Sequence, residues 1–406
     1  MLSDSLARLA DRLRRVRPAP PGGGGGTALV LTGGGARAAY QVGVLRGIAR
    51  AVPAFRPDVV TGVSAGALNG ALLVSLAEAG FAASVDRLAG VWGGLGADDV
   101  YRLDRPTVAG ALARFVRRPD EVAPPAEGGF LDTSPLQAFA ERHLGPVGAP
   151  MAAVGRAVRG GHVRALAVTT TSYTTGESVT WVQDGGGAGR PPAAWDRPMR
   201  RAVRTALRPE HVLASAALPF FFPAVAIDDG ALGPAWYGDG GVRLTAPLGP
   251  ALKLGADKVV VVNTRAGPTR AEAASAKVEA YPPPTRILGV LLNAVFLDVL
   301  DRDAQTLRRV NALLAATPRS QWGAFRPVDL LVLRPSEDLG RLASGFEPRL
   351  PPSMRLVMNG LSTGDGASPD WLSMLLFDPD YVARLVAMGE ADAEAQAEKI
   401  AAFLAD

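Results

Sequence analysis

Two short glycine-bearing segments near the start of the chain have residue types that could do acyl chemistry. Thr32 to Arg37 reads Thr-Gly-Gly-Gly-Ala-Arg, and Gly62 to Gly66 reads Gly-Val-Ser-Ala-Gly. The second segment has the pattern of a nucleophile elbow, in which a sharp strand-to-helix turn exposes a serine hydroxyl. The first is a run of backbone N–H groups suited to holding an oxyanion. Together they indicate acyl transfer or ester hydrolysis.

A serine nucleophile needs a general base, and histidine is scarce in this chain. There are three histidines, and none follows His211, although almost half of the chain is still to come. Enzymes of the α/β-hydrolase type place their triad in the order Ser, then Asp or Glu, then His. Such a triad would have to use His211 as the base, with Asp184 or Asp196 before it. The alternative for all three histidines is a surface or capping role.

A carboxylate is the second candidate for the base. Asp239 lies between Gly238 and Gly240, directly after an apolar, aromatic segment. An aspartate in a glycine-lined turn can approach a serine closely, and partial burial would raise its basicity. The alternative is an ordinary Asp-Gly turn. The nearby serine and glycine motifs favour the catalytic interpretation.

Four motifs in order resemble those of the patatin-like phospholipases. They are Gly-Gly-Gly-Ala-Arg at 33–37, Gly-Val-Ser-Ala-Gly at 62–66, Ala-Ser-Ala-Ala-Leu-Pro-Phe-Phe-Phe-Pro at 214–223 and Asp-Gly-Gly at 239–241. The third is similar to the family's A-S-x-x-x-P-x-x-F-P stretch. The resemblance spans Thr27 to about Asn263. One departure is Ala38, where many members of the family have glycine after the basic residue.

The resemblance implies a Ser–Asp dyad, with Ser64 as nucleophile and Asp239 as proton acceptor. It also implies an acyl-enzyme mechanism on phospholipids, lysophospholipids or another lipid acyl ester, without a cofactor or metal. The implied oxyanion hole is formed by Gly33, Gly34, Gly35, Ala36 and Arg37, and the elbow and dyad glycines are Gly62, Gly66, Gly240 and Gly241. Four roles stay open for Arg37. It could stabilise the loop, the oxyanion or a substrate phosphate, or it could simply face solvent.

Four other functions are compatible with parts of the same pattern. The acyl-enzyme could pass its acyl group to another alcohol, which would make the protein an acyltransferase, or it could act as a general carboxylesterase. A membrane-associated regulatory protein with an inactive dyad is a non-catalytic alternative. The glycine loop could also hold a dinucleotide, with Asp58 as the acidic residue on a ribose, but this leaves Ser64 unexplained.

Strand-like and helix-like segments alternate along the chain. Lys258 to Val262 is a buried strand pattern, Ala65 to Ala79 reads as a buried helix, and two strands near 164–183 form a hairpin pattern. This alternation predicts a mostly parallel sheet with helices on both faces. The resemblance implies that it is the patatin-like three-layer α/β fold, and the residues after it predict a mainly helical C-terminal region.

Composition narrows the class of partner and compartment. The chain has 43 Lys and Arg against 39 Asp and Glu, which is too balanced for a nucleic-acid-binding protein. The absence of cysteine excludes disulfides and fits a reducing compartment, so we expect a cytoplasmic protein. The acidic and histidine residues show no metal-ligand spacing, so we expect no metal. Oligomeric state stays open.

The chain divides into three parts by composition. Residues 1–26 combine a basic amphipathic segment with a Gly/Pro linker, which predicts no secretory signal and allows peripheral contact with an anionic membrane. Residues 27–316 are the predicted catalytic domain, and 317–406 a helical extension packed on it. The apolar run from Ile287 to Leu300 is too short to span a membrane.

Overall fold

The computed structural model describes residues 25–102, 129, 131–186, 195, 197–230, 232–244, 247–267, 299–350 and 369–405. The predicted basic segment and most of its linker lie outside these residues, as do Asp196 and most of the apolar run that ends at Leu300. The division of the chain at 26/27 and 316/317 therefore stays a prediction.

The described residues contain a nine-stranded sheet. Its strands are β1 (Thr27–Leu31), β2 (Val59–Val63), β3 (Ala165–Ser172), β4 (Ser178–Asp184), β5 (Arg200–Arg204), β6 (Val225–Ile227), β7 (Ala235–Asp239), β8 (Lys258–Val262) and β9 (Asp329–Leu333).

Helices connect and cover these strands. They are α1 (Ala39–Ala51), α2 (Ala65–Ser75), α3 (Phe81–Gly93), α4 (Ser134–Leu144), α5 (Ala152–Arg159), α6 (Pro209–Ser215), α7 (Gly249–Lys253), α8 (Val299–Ala315), α9 (Leu339–Ser344), α10 (Pro369–Leu375), α11 (Pro379–Glu394) and α12 (Ala397–Leu404).

The sheet is mostly parallel, as the sequence predicts. Its main strand order is β5-β4-β3-β2-β1-β8-β9, and the five strands from β3 to β9 in that order run parallel. The predicted hairpin is confirmed, because β4 returns antiparallel to β3. Strand β1 lies in the middle of the parallel part, which accounts for its nearly continuous apolar sequence.

Strand β7 enters the sheet at an unusual place. It pairs antiparallel with the last residues of β3, so that Thr170 lies opposite Asp239. Strand β2 pairs parallel with the earlier part of β3 and ends with Val63 opposite Thr169. Because their partners Thr169 and Thr170 are consecutive, β2 and β7 run towards each other along the same edge of β3. Their C-terminal ends therefore meet.

Helices cover both faces of the sheet, which confirms the predicted layered α/β fold. On β1, Leu29 and Leu31 face the larger core, which includes Tyr40 and Ile48 of α1 and Leu72 of α2. Their neighbours Ala28 and Val30 face a second core that contains residues of α7 and α8, for example Ala251 and Leu307. This alternation is the period of two expected when both faces of a strand are buried.

The C-terminal region is mainly helical, as predicted, and it also adds the edge strand β9 to the sheet. Its longest helix there, α11, packs closely on α1 because glycines lie at the contact. A Cβ placed on Gly43 would be 2.0 Å from the Val386 carbonyl oxygen, and one on Gly389 would be 2.3 Å from the Tyr40 carbonyl oxygen. The Tyr40 hydroxyl also donates a 3.0 Å hydrogen bond to Asp392.

Candidate active site

Ser64 occupies the sharp turn between β2 and α2. Its backbone has φ 56° and ψ −134°, a combination that side chains rarely adopt and that costs roughly 1–3 kcal/mol. The flanking glycines permit this turn. A Cβ on Gly62 would lie 2.4 Å from the Gly66 carbonyl oxygen, and one on Gly66 would lie 2.3 Å from that of Leu31. The geometry is that of a nucleophile elbow.

Asp239 is the last residue of β7 and is completely buried. Its Oδ1 accepts a 2.7 Å hydrogen bond from the Gly241 amide, whereas Oδ2 has no hydrogen bond of regular geometry among the described residues. Burial raises the pKa of Asp239 to about 7, although the nearby Ser64 hydroxyl and the Gly241 amide both favour the ionised form. The carboxyl group is therefore poised to exchange a proton near neutral pH.

The register of β3 explains why Ser64 and Asp239 are neighbours. Ser64 directly follows the end of β2, and Asp239 ends β7, at the point where the two strands meet along one edge of β3. Gly240 allows this close approach, because a Cβ there would lie 2.1 Å from the Thr169 carbonyl oxygen. The two residues singled out from the sequence as a dyad are thus brought together by the sheet.

The glycine loop lies directly against Ser64. A Cβ on Gly33 would be 2.9 Å from the Ser64 Cβ, so only glycine fits there without displacement. Gly34 has φ 151° and Gly35 has φ 56°, both in the region that favours glycine. Gly33 is further held by Thr264, whose Oγ1 donates a 2.5 Å hydrogen bond to the Gly33 carbonyl oxygen. The loop therefore presents its backbone, with no side chain between, beside the serine.

Arg37 is buried, which overturns the solvent-facing interpretation. Its Nε donates a 2.6 Å hydrogen bond to the Ser373 hydroxyl of α10. Of the roles left open by the sequence, stabilising the glycine loop is the one with a visible contact. Ala36 and Ala38 are also buried, and the Ala38 carbonyl accepts a hydrogen bond from Asn69, so the loop accommodates alanine at the position of the family's usual glycine.

A buried polar network behind the loop was not found from the sequence. Gln41 of α1 donates from Nε2 to the Thr32 carbonyl oxygen at 2.8 Å and accepts at Oε1 from Asn69 of α2 at 2.9 Å. The Asn69 Oδ1 in turn accepts from the Trp92 indole at 2.7 Å. The network joins three helices to the start of the glycine loop, and its buried amides are paired at both ends.

The hydrogen bonds of Ser215 were also not predicted from the sequence, although Ser215 lies within the Ala-Ser-x-x-x-Pro motif. Its Oγ accepts a 2.9 Å hydrogen bond from the Ser64 amide and donates a 2.6 Å hydrogen bond to the Thr169 carbonyl oxygen. Two residues later, the Ala217 carbonyl oxygen accepts from the Asp239 amide at 2.9 Å. The motif thus holds both members of the candidate dyad in place.

Among the described residues, the alternative triad of Ser64, Asp184 and His211 is not assembled, because His211 Nε2 has no hydrogen-bond partner there; Asp196 lies outside these residues. His211 is fully buried, its Nδ1 accepts a 2.9 Å hydrogen bond from the Arg208 amide, and its ring packs 4.6 Å from that of Trp181. Burial, together with the Arg208 cation, lowers the pKa of His211 to about 3. Asp184 pairs with Ala165 at the far end of β3 from the site and forms an ion pair with Arg204. His211 is therefore a structural residue.

The dinucleotide alternative fails because Asp58 and the glycine loop lie at opposite ends of the strands. The Asp58 carboxylate accepts a 2.7 Å hydrogen bond from the Thr27 amide, where β1 and β2 begin. The glycine loop lies where β1 ends, at the opposite end of the sheet. An acidic residue for a ribose hydroxyl would have to lie at the loop's end of the strands.

Neither a metal site nor a membrane span is found in the described part of the chain. There, no three His, Asp or Glu side chains converge in a way that could hold a metal ion. Likewise, no helix within the described ranges combines the length and apolar character needed to cross a bilayer.

Solved structures with a similar chain path include phospholipases. VipD from Legionella pneumophila is 14% identical, with a TM-score of 0.35, and the match covers 93% of this chain and 67% of that one. Human GIVD cytosolic phospholipase A2 is 11% identical, with a TM-score of 0.43 and coverage of 94% and 60%. Its complex with methyl γ-linolenyl fluorophosphonate gives 12%, 0.41, 94% and 59%. This chain thus spans about three fifths of the human protein's length.

Comparison with curated protein sequences finds no match. The family model of the patatin-like phospholipases, in contrast, matches residues 29–252. That range is more than half of the chain, and it contains the glycine loop, the elbow, the Ser215 motif and Asp239. The chain therefore belongs to the patatin-like phospholipase family.

Proposed function

We propose that this protein hydrolyses acyl esters of phospholipids or lysophospholipids, with Ser64 as nucleophile and Asp239 as general base. The observation that carries the proposal is the position of a strained, elbow-type serine beside a buried carboxylate whose pKa is raised to about 7. A structural aspartate does not need a raised pKa. A general base does, because its proton affinity must be high enough to accept the proton of a serine hydroxyl. Family membership supports lipid as the substrate class.

The first half of the reaction forms an acyl-enzyme. Ser64 Oγ attacks the ester carbonyl carbon while the Asp239 carboxylate accepts the hydroxyl proton. The carbonyl π-electrons move onto oxygen, which becomes a tetrahedral oxyanion. When the intermediate collapses, the C–O bond to the leaving alcohol breaks, and Asp239 returns its proton to that alcohol. The acyl group then remains on Ser64.

The second half releases the acid. Asp239 accepts a proton from a water molecule as the water oxygen attacks the acyl carbon. Collapse of the second tetrahedral intermediate breaks the bond to Ser64 Oγ, and the proton passes back from Asp239 to the serine. The enzyme regains its starting state, and no cofactor takes part in the proton balance.

The oxyanion is proposed to bind between the glycine loop and the start of α2. The first amides of a helix have no acceptor within the helix, and α2 begins at Ala65, directly after the nucleophile. The positive end of the helix dipole adds to the effect of these amides. Across from them, Gly33 brings backbone close to the Ser64 side chain. Loss of one such donor typically costs about 3 kcal/mol of barrier stabilisation.

An acyl-release assay tests the proposal. Wild type, Ser64→Ala and Asp239→Asn are compared on mixed phospholipids and lysophospholipids, with circular dichroism as the check of folding. Ser75→Ala is the matched control, because Ser75 ends α2 and its hydroxyl has no hydrogen-bond partner among the described residues. Acyl release should disappear in both dyad variants and persist in Ser75→Ala.

Covalent labelling tests the role of Ser64 as nucleophile separately from the role of Asp239 as general base. A fluorophosphonate probe reacts with activated serines, so it should label wild type at Ser64 and leave Ser64→Ala unlabelled. A folded Asp239→Asn that still releases acyl groups at the wild-type rate would exclude Asp239 as the base. Failure of wild type to release acid or take up the probe would contradict the hydrolase function itself.

A further inference from the structure

Large side chains with apolar surface are exposed at the end of the sheet that carries Ser64. Among them are Tyr173, Met199 and Trp236, with exposed fractions of 45%, 44% and 38%. The Tyr173 amide donates a 2.8 Å hydrogen bond to the Trp236 carbonyl oxygen, continuing the pairing of β3 with β7. A Cβ on Gly176, in the β3–β4 turn, would lie 3.7 Å from the Met199 methyl carbon. Tyr173 and Met199 therefore project from adjoining turns, and Trp236 projects from the start of β7 beside them.

The conformation of Met199 makes its exposure unusual. Its φ of 65° lies in the left-handed region, which favours glycine or asparagine over a side chain of this size. It lies in a tight turn in which the amides of Arg197 and Arg200 each donate to the other residue's carbonyl oxygen, at 3.0 and 2.9 Å. The turn holds an apolar side chain outward at a position where a smaller residue would be less strained.

Basic side chains border these apolar residues. A shallow surface depression beside them is lined by Arg200, Arg201, Arg243 and Lys253. The Arg243 Nε donates a 2.8 Å hydrogen bond to the Gly176 carbonyl oxygen, which fixes this cation next to Met199. Arg201 forms a 2.8 Å ion pair with Glu177. Arg200 lies close enough to Asp303 to favour the ionised form of that carboxyl group. Within the described part of the chain, the four cations of the depression outnumber these two carboxylates.

The surface also adjoins the candidate active site. The Tyr173 ring lies over Gly238, where a Cβ would be 2.2 Å from the tyrosine hydroxyl oxygen. Gly238 directly precedes Asp239. Strands β2 and β3 end at the same side of the sheet, and β4, β5 and β7 begin there. A partner that covers Tyr173 would therefore lie next to the dyad.

We propose that the sheet-end surface, formed by Tyr173, Met199, Trp236, Arg200 and Arg243, docks onto an anionic lipid bilayer. Amphipathic aromatic rings favour the headgroup level of a membrane, and arginines there bind lipid phosphates. Protein interfaces are enriched in the same residue types, so selectivity for anionic vesicles is the observation that decides between a bilayer and a protein partner. The inference rests on the proposed function, because docking here would bring ester bonds to Ser64.

Co-sedimentation of the full-length protein with vesicles tests this surface directly. Binding is compared between phosphatidylcholine vesicles with and without an anionic phospholipid, at low and high salt. Wild type should favour anionic vesicles and lose affinity as salt screens the charges. Arg200→Gln combined with Arg243→Gln should weaken binding about fivefold for each arginine removed. Met199→Ser combined with Trp236→Ser should also weaken binding, and this loss should persist at high salt.

Matched controls come from exposed apolar residues elsewhere. Leu313 and Phe325 are each 67% exposed, and Phe325 precedes β9 at the opposite end of the sheet. Leu313→Ser and Phe325→Ser should bind vesicles as wild type does. Trp236 also provides a local probe, because brominated lipids should quench its fluorescence, and Trp236→Phe should remove that quenched component while retaining binding. Circular dichroism verifies that each variant is folded.

The outcomes distinguish this inference from the proposed function. Equal binding to neutral and anionic vesicles, or wild-type binding by both double variants, would overturn the sheet-end surface as the docking site. Hydrolysis of a water-soluble short-chain ester reports the dyad without any membrane. Vesicle binding that depends on these residues in a protein inactive on the soluble ester would support the surface while contradicting the hydrolase. Normal soluble-ester hydrolysis without such binding would do the reverse.

Discussion

The Arg37 guanidinium and the Ser373 hydroxyl form a 2.6 Å hydrogen bond between residues separated by 336 positions in the chain. The next residue, Met374, also contacts the glycine loop, since a Cβ on Gly35 would lie 2.1 Å from its carbonyl oxygen. Both belong to α10, well beyond the range matched by the family model. The C-terminal region thus forms one wall of the loop proposed to hold the oxyanion.

Ser373→Ala is therefore expected to impair both stability and activity. It deprives the buried Arg37 Nε of its acceptor, which should lower the free energy of unfolding by about 1.5–3 kcal/mol. A shifted glycine loop should also reduce kcat roughly 10- to 100-fold. Urea unfolding and soluble-ester kinetics measure the two effects. Ser344→Ala is the control, because the single hydrogen bond of its hydroxyl to the described residues is a long one, 3.4 Å, within α9. Wild-type kcat in Ser373→Ala would show that the contact does not position the loop.

Gly33→Ala tests whether the loop must approach the nucleophile without a side chain. The added methyl group would meet the Ser64 Cβ at 2.9 Å, so either the loop or the serine has to move. We expect kcat to fall by roughly 100-fold or more, because small displacements of reacting groups are costly. Gly90→Ala in α3 is the matched control. It meets no atom within 4 Å and should stabilise the helix by about 1 kcal/mol. An active Gly33→Ala would contradict the oxyanion role.

His211→Asn distinguishes a structural histidine from a base. The asparagine oxygen can accept the Arg208 amide in place of Nδ1, but the packing of the ring on Trp181 is lost. The variant should unfold more easily, by about 1–3 kcal/mol, and keep kcat within a few-fold of wild type. Thermal melts and the pH profile of ester hydrolysis check both points. A folded variant with kcat reduced by orders of magnitude would restore His211 as a candidate base.

The motifs that were legible in the sequence are those whose geometry is local. Gly62, Ser64 and Gly66 lie in one turn, and the special backbone angles of that turn need particular residue types in a fixed spacing. The same holds for the glycine loop. The alternating pattern of short apolar runs and helical segments was likewise sufficient for the mostly parallel sheet, because burial on both faces leaves a direct signature in each strand. The catalytic roles of these residues stay predictions.

The contacts that hold the site together were not legible in the same way. Thr264 and Ser373 are common residue types at unremarkable positions, and the motif that contains Ser215 does not indicate which groups its hydroxyl bonds. All three act only because the fold brings distant segments together. The sequence does not decide the role of Arg37 for the same reason. No neighbouring residue in the sequence indicates that a C-terminal helix covers it. The junction between β2 and β7 depends on strand register, which one sequence does not specify over such a separation.

The raised pKa of Asp239 predicts how activity depends on pH. A general base must be ionised to accept the serine proton, so kcat/KM for a soluble ester should rise with pH, with a midpoint near 7, and then level off. The measurement is a rate profile from about pH 5 to 9. His211, whose pKa is lowered to about 3, would remain neutral throughout and would give no such step. A profile that is flat down to pH 5 would contradict Asp239 as the base.

Burial of Asp239 also predicts a cost to stability that depends on pH. The pKa of this carboxyl is 3.8 in the reference state and about 7 in the fold, so the folded protein holds the proton more tightly. The stabilisation that comes from this tighter proton binding is fully present below about pH 4. It declines by up to about 1.4 kcal/mol per pH unit above that and is lost once the pH has risen through 7.

Asp239→Asn removes that ionisation while keeping an acceptor for the Gly241 amide. At pH 8 the inactive variant should therefore be more stable than wild type by a few kcal/mol, and the difference should shrink towards zero near pH 4. Urea unfolding at pH 4, 6 and 8 measures it. Asp86→Asn serves as control, because Asp86 forms an exposed ion pair with Arg46, and its loss should change the free energy of unfolding by less than about 1 kcal/mol. A destabilised Asp239→Asn at pH 8 would mean that the carboxylate is stabilised in the fold, which would also remove the reason for its proton affinity near neutral pH.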